Sequence, residues 1–303
     1  MPEMQGVLTR EAAGSAAPTV AIPIKDLDRL PYPSFDDYYM DLAASGLALR
    51  PQSRVLLPFE SSRGCWWGEK SQCTFCGLNG SSMEYRAKSA QRSLDELEWL
   101  QGRYKGLYGA ITAVDKVVPK EYFAEFFPRV VSLQLNLNLH YEVRANLRKS
   151  EVEMLRRAGV TVIQPGIESL STRLLHLMHK GVTTLQNVQL LKWCRQFGIR
   201  VYWNLLFGFP GETEEDYNQI VEVVHAISHL QPPLGVVRVA FERFSPYFNY
   251  PQAFQITDMH PDPSYAYVYP GLTPTDLNCN RLRSLRRDRL RLVMLRRGII
   301  ETV

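Results

Sequence analysis

The chain reads as an α/β protein, a partial (β/α)6 TIM-like barrel of parallel strands. Two observations predict it. Six short apolar runs alternate with six helical patterns, an order that implies a parallel sheet with right-handed crossovers. Six units also fall short of the eight that close a TIM barrel, so the ring is left open. A third observation agrees: polar residues collect just after the carboxyl ends of the expected strands, where β/α barrels place their chemistry.

Residues 1–20 are rich in Ala, Gly and polar residues and read as a disordered lead. Residues 21–40 carry Pro23, Pro31 and Pro33 and read as an extended connector, so the lead and connector together occupy residues 1–50. The core spans 51–245. Strand one is the apolar run within Arg54–Glu60, followed by a cysteine-rich loop. Ser93 to Glu96 reads as a capping box opening a helix to about Tyr104, with Leu97, Leu100 and Tyr104 inward. Strand two is Ala110–Val118, with Asp115 near its end, and Pro119 suits the first turn of a short helix through Phe127. Strand three is expected from Leu133, Leu135, Leu137 and Leu139 alternating with polar residues as far as His140, running on to Arg144. Ser150 to Glu153 reads as a second capping box, with Gly159 as the stop. Strand four is Val160–Pro165. A helix through Leu174 and Met178 stops at Gly181, and a longer one, Thr184–Phe197, stops at Gly198. Strand five is Ile199–Phe207. Thr213 to Asp216 caps a helix with Tyr217, Ile220 and Val224 inward, and Pro232–Pro233 breaks it. Strand six is Gly235–Phe241.

Cys65, Cys73 and Cys76 form a C-x7-C-x2-C array in the loop after strand one. Three thiolates on one loop can hold three irons of a 4Fe-4S cluster and leave the fourth open to an outside ligand. Zinc in a structural site takes four protein ligands, and no fourth Cys or His lies nearby. A disulfide plus a spare thiol is the remaining alternative. It fits poorly with a chain that shows no secretory signal and is expected in the reducing cytoplasm.

The strand-end residues that qualify for a site are Asp115, Glu142, Arg144, Glu168, Ser169, Gly208 to Glu212, Glu242 and Arg243. Strand ends are loops and loops are polar, so each also reads as a solvated or ion-paired residue. Glu168 stands out because it interrupts an apolar strand end. Cys194 shares a helix face with Leu190 and Leu191 and reads as a buried apolar thiol. Cys279 has no assigned role. The pairs His176/His179 and His225/His229 lack further ligands and read as surface or packing residues. Trp66–Trp67 either covers the cysteines or packs under their loop.

Hydrophobic residues make up 45% and charged residues 22%, which excludes a disordered or fibrous class. No run of eighteen apolar residues argues for a membrane span. The formal charge of +4 is a property of the tail. Residues 281–303 hold eight arginines against Asp288 and Glu301, a net +6, so the rest of the chain sums to −2. No basic, aromatic-interleaved face points to nucleic acid.

A three-cysteine array after a first strand resembles the radical S-adenosylmethionine superfamily, although its commonest spacing is C-x3-C-x2-C. The longer spacing, with Arg63–Gly68 before it and Cys76–Gly80 after it, resembles a narrower group that matures ribosomally made peptides (RiPPs), many of them cobalamin-dependent C-methyltransferases. The resemblance runs from about Ile24 to about Tyr269. It implies a 4Fe-4S cluster on Cys65, Cys73 and Cys76, with S-adenosylmethionine chelating the open iron. It implies an acidic residue such as Asp115 for the amino group, Arg144 for the carboxylate, Glu168 and Ser169 for ribose, and Gly208 to Gly211 with Phe75 at the adenine. One electron then cleaves the sulfonium, and the resulting 5′-deoxyadenosyl radical abstracts hydrogen from a peptide. Flavodoxin or ferredoxin is the expected electron donor. In that group the connector follows an N-terminal cobalamin-binding domain of about 100 or more residues, which the short lead cannot supply. Cobalamin-dependent methylation therefore competes with cobalamin-independent epimerisation or crosslinking, and with a non-catalytic cluster-binding remnant. Residues 246–303 read as a Pro- and Tyr-rich substrate-side segment ending in an Arg-rich tail. That tail is either a basic helix for an acidic leader peptide or an out-of-frame end.

Overall fold

The computed structural model describes residues 23–46, 55–77 and 83–257, with short stretches between 259 and 284. The lead, Cys279 and the arginine-rich tail apart from Arg283–Ser284 lie outside the described residues.

Helix α1 (Asp36–Ala44) precedes strand β1 (Leu56–Phe59). A small antiparallel pair, β2 (Ser62–Arg63) and β3 (Arg86–Ala87), brackets the cysteine loop and its helix α2 (Trp66–Ser71). Then follow α3 (Ala90–Arg103), β4 (Ala110–Ala113), α4 (Phe127–Ser132), β5 (Leu139–Val143), α5 (Lys149–Arg157) and β6 (Val160–Pro165). The chain continues through α6 (Thr172–Leu177), α7 (Thr184–Phe197), β7 (Arg200–Val201), β8 (Asn204–Phe207), α8 (Glu214–Ala226), β9 (Gly235–Arg238) and α9 (Pro246–Asn249).

Strands β1, β4, β5, β6 and β7 form one parallel sheet in that order, and β8 pairs in parallel with β9. This is the α/β partial barrel that the alternation predicts. Strand five is divided at Tyr202–Trp203. Its first half pairs with β6, its second with β9, and Leu206 N–H still donates to Glu168 O at 2.8 Å. Helix α3 lays Leu97 and Leu100 on the sheet, α5 Val152 and Leu155, and α7 Leu190, Leu191 and Cys194, all buried. Each such leucine adds roughly 1.5–3 kcal/mol by leaving water. Burial in this apolar layer pushes the Cys194 thiol up to about 12, so it behaves as a small hydrophobe, as its helix face suggests.

Five elements differ from the sequence reading. The connector is not extended throughout: it carries a 3-10 turn at Leu27–Arg29 and enters helix α1 at Asp36. The leucine alternation from Leu133 is a loop, not strand three. Gln134 and Asn136 both sit at φ 48°, outside the range of a strand, and Leu133 is exposed. The strand itself is Leu139–Val143. Ser93 and Glu96 do not open α3; Ser89 caps it, accepting from Arg92 N–H at 3.1 Å, and Ser93 and Glu96 lie buried one turn further on. The segment after Pro119 is a 3-10 turn, Lys120–Phe123, before α4 begins. Helix α5 starts at Lys149, with Glu151 reaching back to Arg148 N–H at 2.7 Å, two residues earlier than Ser150 to Glu153 implies. The box on α8 is as read: the Asp216 carboxylate accepts from Thr213 N–H at 2.9 Å.

Candidate cofactor site

The cysteine loop lies across the carboxyl end of the sheet, and named bonds hold it there. Cys65 caps α2, its sulfur accepting from Gly68 N–H at 3.4 Å. Gly77 N–H donates to Glu242 Oε2 at 2.8 Å, Gln72 Nε2 to Phe244 O at 3.3 Å, and Tyr247 N–H to Thr74 O at 2.9 Å. These tie the loop to the segment after strand six. On the other side it grips the end of α6. Thr74 Oγ1 donates to Leu177 O (3.3 Å), Thr74 N–H to Met178 O (3.1 Å) and Trp67 Nε1 to His179 O (3.0 Å). Arg144 Nη2 donates to Lys180 O at 2.6 Å. Four successive carbonyls, from the last residue of α6 to Lys180, are thus all taken. Gly181, at φ 63°, faces the flat of Trp67, and a Cβ there would overlap that ring. Trp67 therefore packs against the α6 turn and under the Arg144 guanidinium, 4.1 Å away.

Cys65, Cys73, Cys76, Phe75, Glu142, Arg144 and Glu168 line one cavity of about 240 Å³, together with Lys116, Gln164, Lys180, Tyr202, Trp203 and Asn204. The three cysteines are not disulfide-bonded and are half-buried. Burial pushes the Cys73 thiol up, with Lys180 and Arg144 opposing. Burial likewise raises Glu142, offset by Lys116 at 3.8 Å, and lowers Arg144. Lys180 is buried with its Nζ 3.3 Å from Glu168 Oε1. Burial works against its ammonium, but Glu168 and the Cys73 sulfur outweigh that and lift its pKa. Glu168 sits at φ 56°, a strained setting for a non-glycine residue.

Four of the expected site residues fall off the cavity wall. Asp115 is fully buried and accepts from Ser61 N–H (2.7 Å), Ser62 N–H (3.0 Å) and the Ser61 hydroxyl. Its carboxylate fixes the turn after β1 that leads into Cys65, and burial pushes its pKa up to about 6. Ser169 is buried, its Oγ accepting from Ser171 N–H at 3.1 Å at the entry to α6. Gly208 and Gly211, at φ 95° and 81°, frame a loop closed by Glu212. That carboxylate accepts from Gly208 and Phe209 N–H (both 2.8 Å) and from Tyr217 OH (2.6 Å). The loop meets the site through Phe209, whose ring lies 5.7 Å from Phe75.

The sequence reading missed Lys116, Gln164, Lys180 and the Tyr202–Asn204 break. Gln164 carried a signal, a polar side chain inside an apolar strand. Lys180 carried none, because a lysine at a helix end looks like a surface residue.

The model of the radical SAM superfamily matches residues 59–224, more than half of the chain. The chain belongs to the radical SAM superfamily. An uncharacterized methyltransferase of Pyrococcus horikoshii is 28% identical over 207 residues, 66% of this chain and 42% of that protein. Bacteriochlorophyllide d C-12(1)-methyltransferase of Chlorobaculum tepidum is 27% identical over 177 residues, 56% and 37% respectively. Among solved structures, the cobalamin-dependent S-adenosylmethionine radical enzyme OxsB superposes with a TM-score of 0.65 at 16% identity, over 90% of this chain and 43% of that one. The radical methyltransferase TsrM of Kitasatospora setae gives 0.54 at 19%, over 64% and 38%. These structures share the fold. The chain spans well under half the length of these relatives.

Membership of the superfamily implies a 4Fe-4S cluster and S-adenosylmethionine, and the residues fit them. Cys65, Cys73 and Cys76 line one cavity. Among the described residues no group of three or more His, Cys, Asp or Glu side chains is placed to hold a single metal ion. Two cations, Lys180 and Arg144, line the same cavity and offset thiolate charge. Among the described residues no helix is long and apolar enough to cross a membrane.

Proposed function

We propose that the chain is a radical S-adenosylmethionine enzyme that methylates carbon on a ribosomally made peptide, with cobalamin as a second cofactor. The observation that carries the radical chemistry is the joint lining of one cavity by three thiols, three cations and two carboxylates. A 4Fe-4S cluster, when bound, supplies the electron for reductive cleavage of S-adenosylmethionine. The protein's own work is binding and exclusion. Arg144 and Lys180 attract the methionine carboxylate; Glu142 and Glu168 are acceptors for its ammonium and the ribose hydroxyls. Phe75, backed by Phe209, offers a flat apolar face for adenine. Trp203 and Val182, both buried, complete an apolar wall that keeps water from a reactive carbon. Asp115, Ser169 and the Gly208–Glu212 loop act behind this wall, holding the turns that carry it.

Methylation and cobalamin are supported by the names of the relatives: methyltransferases by sequence, and two cobalamin-binding radical enzymes by fold. A peptide substrate, and flavodoxin or ferredoxin as electron donor, are supported by the resemblance of the Arg63–Gly80 motif. Anaerobic reconstitution with iron and sulfide, then dithionite and S-adenosylmethionine, tests the reading. The wild type should yield 5′-deoxyadenosine, and the Cys65/Cys73/Cys76→Ala variant should lose colour and product together. A wild type that holds iron yet makes no 5′-deoxyadenosine contradicts it. Hydroxocobalamin retained through gel filtration, seen by absorbance, supports methylation; its loss favours cobalamin-independent chemistry.

A further inference from the structure

Lys180 is held in place by more than its own side chain. Its carbonyl is the last of the four taken by Thr74, Trp67 and Arg144, so the cysteine loop and the lysine are fastened to each other. Its side chain then turns into the cavity that the three cysteines line. Space for it depends on a missing side chain, since a Cβ on Gly166 would stand 2.5 Å from Nζ. Among the described residues its ammonium meets one carboxylate oxygen, at 3.3 Å on Glu168. An ammonium has three protons to place, and burial of the group is costly unless other charges face it. Besides Glu168 and Glu142, the groups in the same cavity that can carry negative charge are Cys65, Cys73 and Cys76 as thiolates.

We propose that Lys180 is a positioning residue for charge that sets the reduction potential of the cluster held by Cys65, Cys73 and Cys76, with Glu168 as the countercharge that fixes its ammonium. The inference rests on the cluster assignment above. Reduction adds one electron to the cluster from an outside donor and breaks no bond. A buried cation stabilises the more negative, reduced form, and in a low-dielectric site this attraction is weakly screened. Replacing Lys180 with a neutral side chain of similar length therefore makes the cluster harder to reduce. Removing the Glu168 charge makes it easier to reduce.

The experiment is an EPR-monitored redox titration, with dithionite as reductant and no S-adenosylmethionine, of reconstituted wild type, Lys180→Met, Lys180→Arg and Glu168→Gln. Iron and sulfide are counted in each. At the potential where the wild type is half reduced, Lys180→Met with full iron should show a reduced-to-oxidised ratio about tenfold lower, or about 59 mV for one electron. Lys180→Arg should stay within about threefold of the wild type, and Glu168→Gln should shift the opposite way from Lys180→Met. A wild-type midpoint in iron-replete Lys180→Met overturns the inference alone. Should Lys180→Met lose its iron, Glu168→Gln decides: a raised midpoint supports the role, an unchanged or lowered one overturns it. A wild type that binds no iron overturns the cluster assignment and this inference with it.

Discussion

Lys88 with Glu96 and Lys180 with Glu168 are both buried lysine–glutamate pairs, yet they are built differently. Lys88 Nζ donates to both oxygens of Glu96, at 2.8 and 2.7 Å, and Arg92 adds a third contact at 3.0 Å. Their side chains are 3% and 0% exposed. The Lys88 carbonyl accepts from Tyr122 OH at 2.9 Å, and Tyr122 in turn shares a hydrogen bond with Ser93. The Lys88 ammonium and both Glu96 oxygens thus have protein partners. Lys180 touches one oxygen of a glutamate held at positive φ, and that glutamate is 22% exposed to the cavity. Both pairs cost desolvation, but only in the first does the ammonium meet both oxygens of its carboxylate. The first joins β3 to α3. The second keeps bonding capacity for a guest.

Exchanging each lysine for methionine is the sharpest way to break this comparison. Lys88→Met leaves Glu96 buried against Arg92 alone and should cost about 3 kcal/mol in urea unfolding. Lys180→Met should cost less than about 1 kcal/mol, because Glu168 can reach water. Equal losses would mean that the two pairs do the same job. Next in size is Gly181→Ala, which adds a Cβ into the Trp67 ring on a left-handed residue. It should lower stability by about 1–3 kcal/mol. It should also reduce iron incorporation, since Trp67 leaves the α6 turn; unchanged iron content would separate the turn from the site.

The smallest effect concerns Asp115, the buried acid that serves the site from behind. Its folded pKa, about 6, lies above the ordinary carboxylate value of 3.8. The folded state therefore holds its proton more tightly than the unfolded chain. The group's contribution to stability is fully present below about pH 4 and is lost as pH rises through about 6. Asp115→Asn should flatten the fall in stability across that window, read as urea midpoints at several pH values. A wild-type slope in the variant would assign the titration elsewhere.

What could be read from sequence was local. Gly198, Gly159 and the Thr213–Asp216 box end and begin helices through their own backbone chemistry, so those elements were legible. The Leu133–Leu139 alternation misled because a strand is defined by its neighbours, and only Leu139 onward has β4 and β6 beside it. Cys65, Cys73 and Cys76 announced themselves by spacing. Glu142, Arg144 and Glu168 followed from their place after strands. Asp115 shared that place but points into the protein, towards the serines that follow β1, and nothing in its own segment says so. Lys180 is decided by Gly166, Trp67 and Arg144, which are distant in sequence and meet only in the fold.

The central claim is that three cysteines leave one corner of a cluster free for S-adenosylmethionine in the cavity beside Glu168 and Lys180. EPR of the reduced, reconstituted wild type before and after adding S-adenosylmethionine tests it most directly. The account predicts about four irons per chain and a signal whose shape changes on addition. Full iron with an unchanged spectrum, or zinc in place of iron, would contradict it.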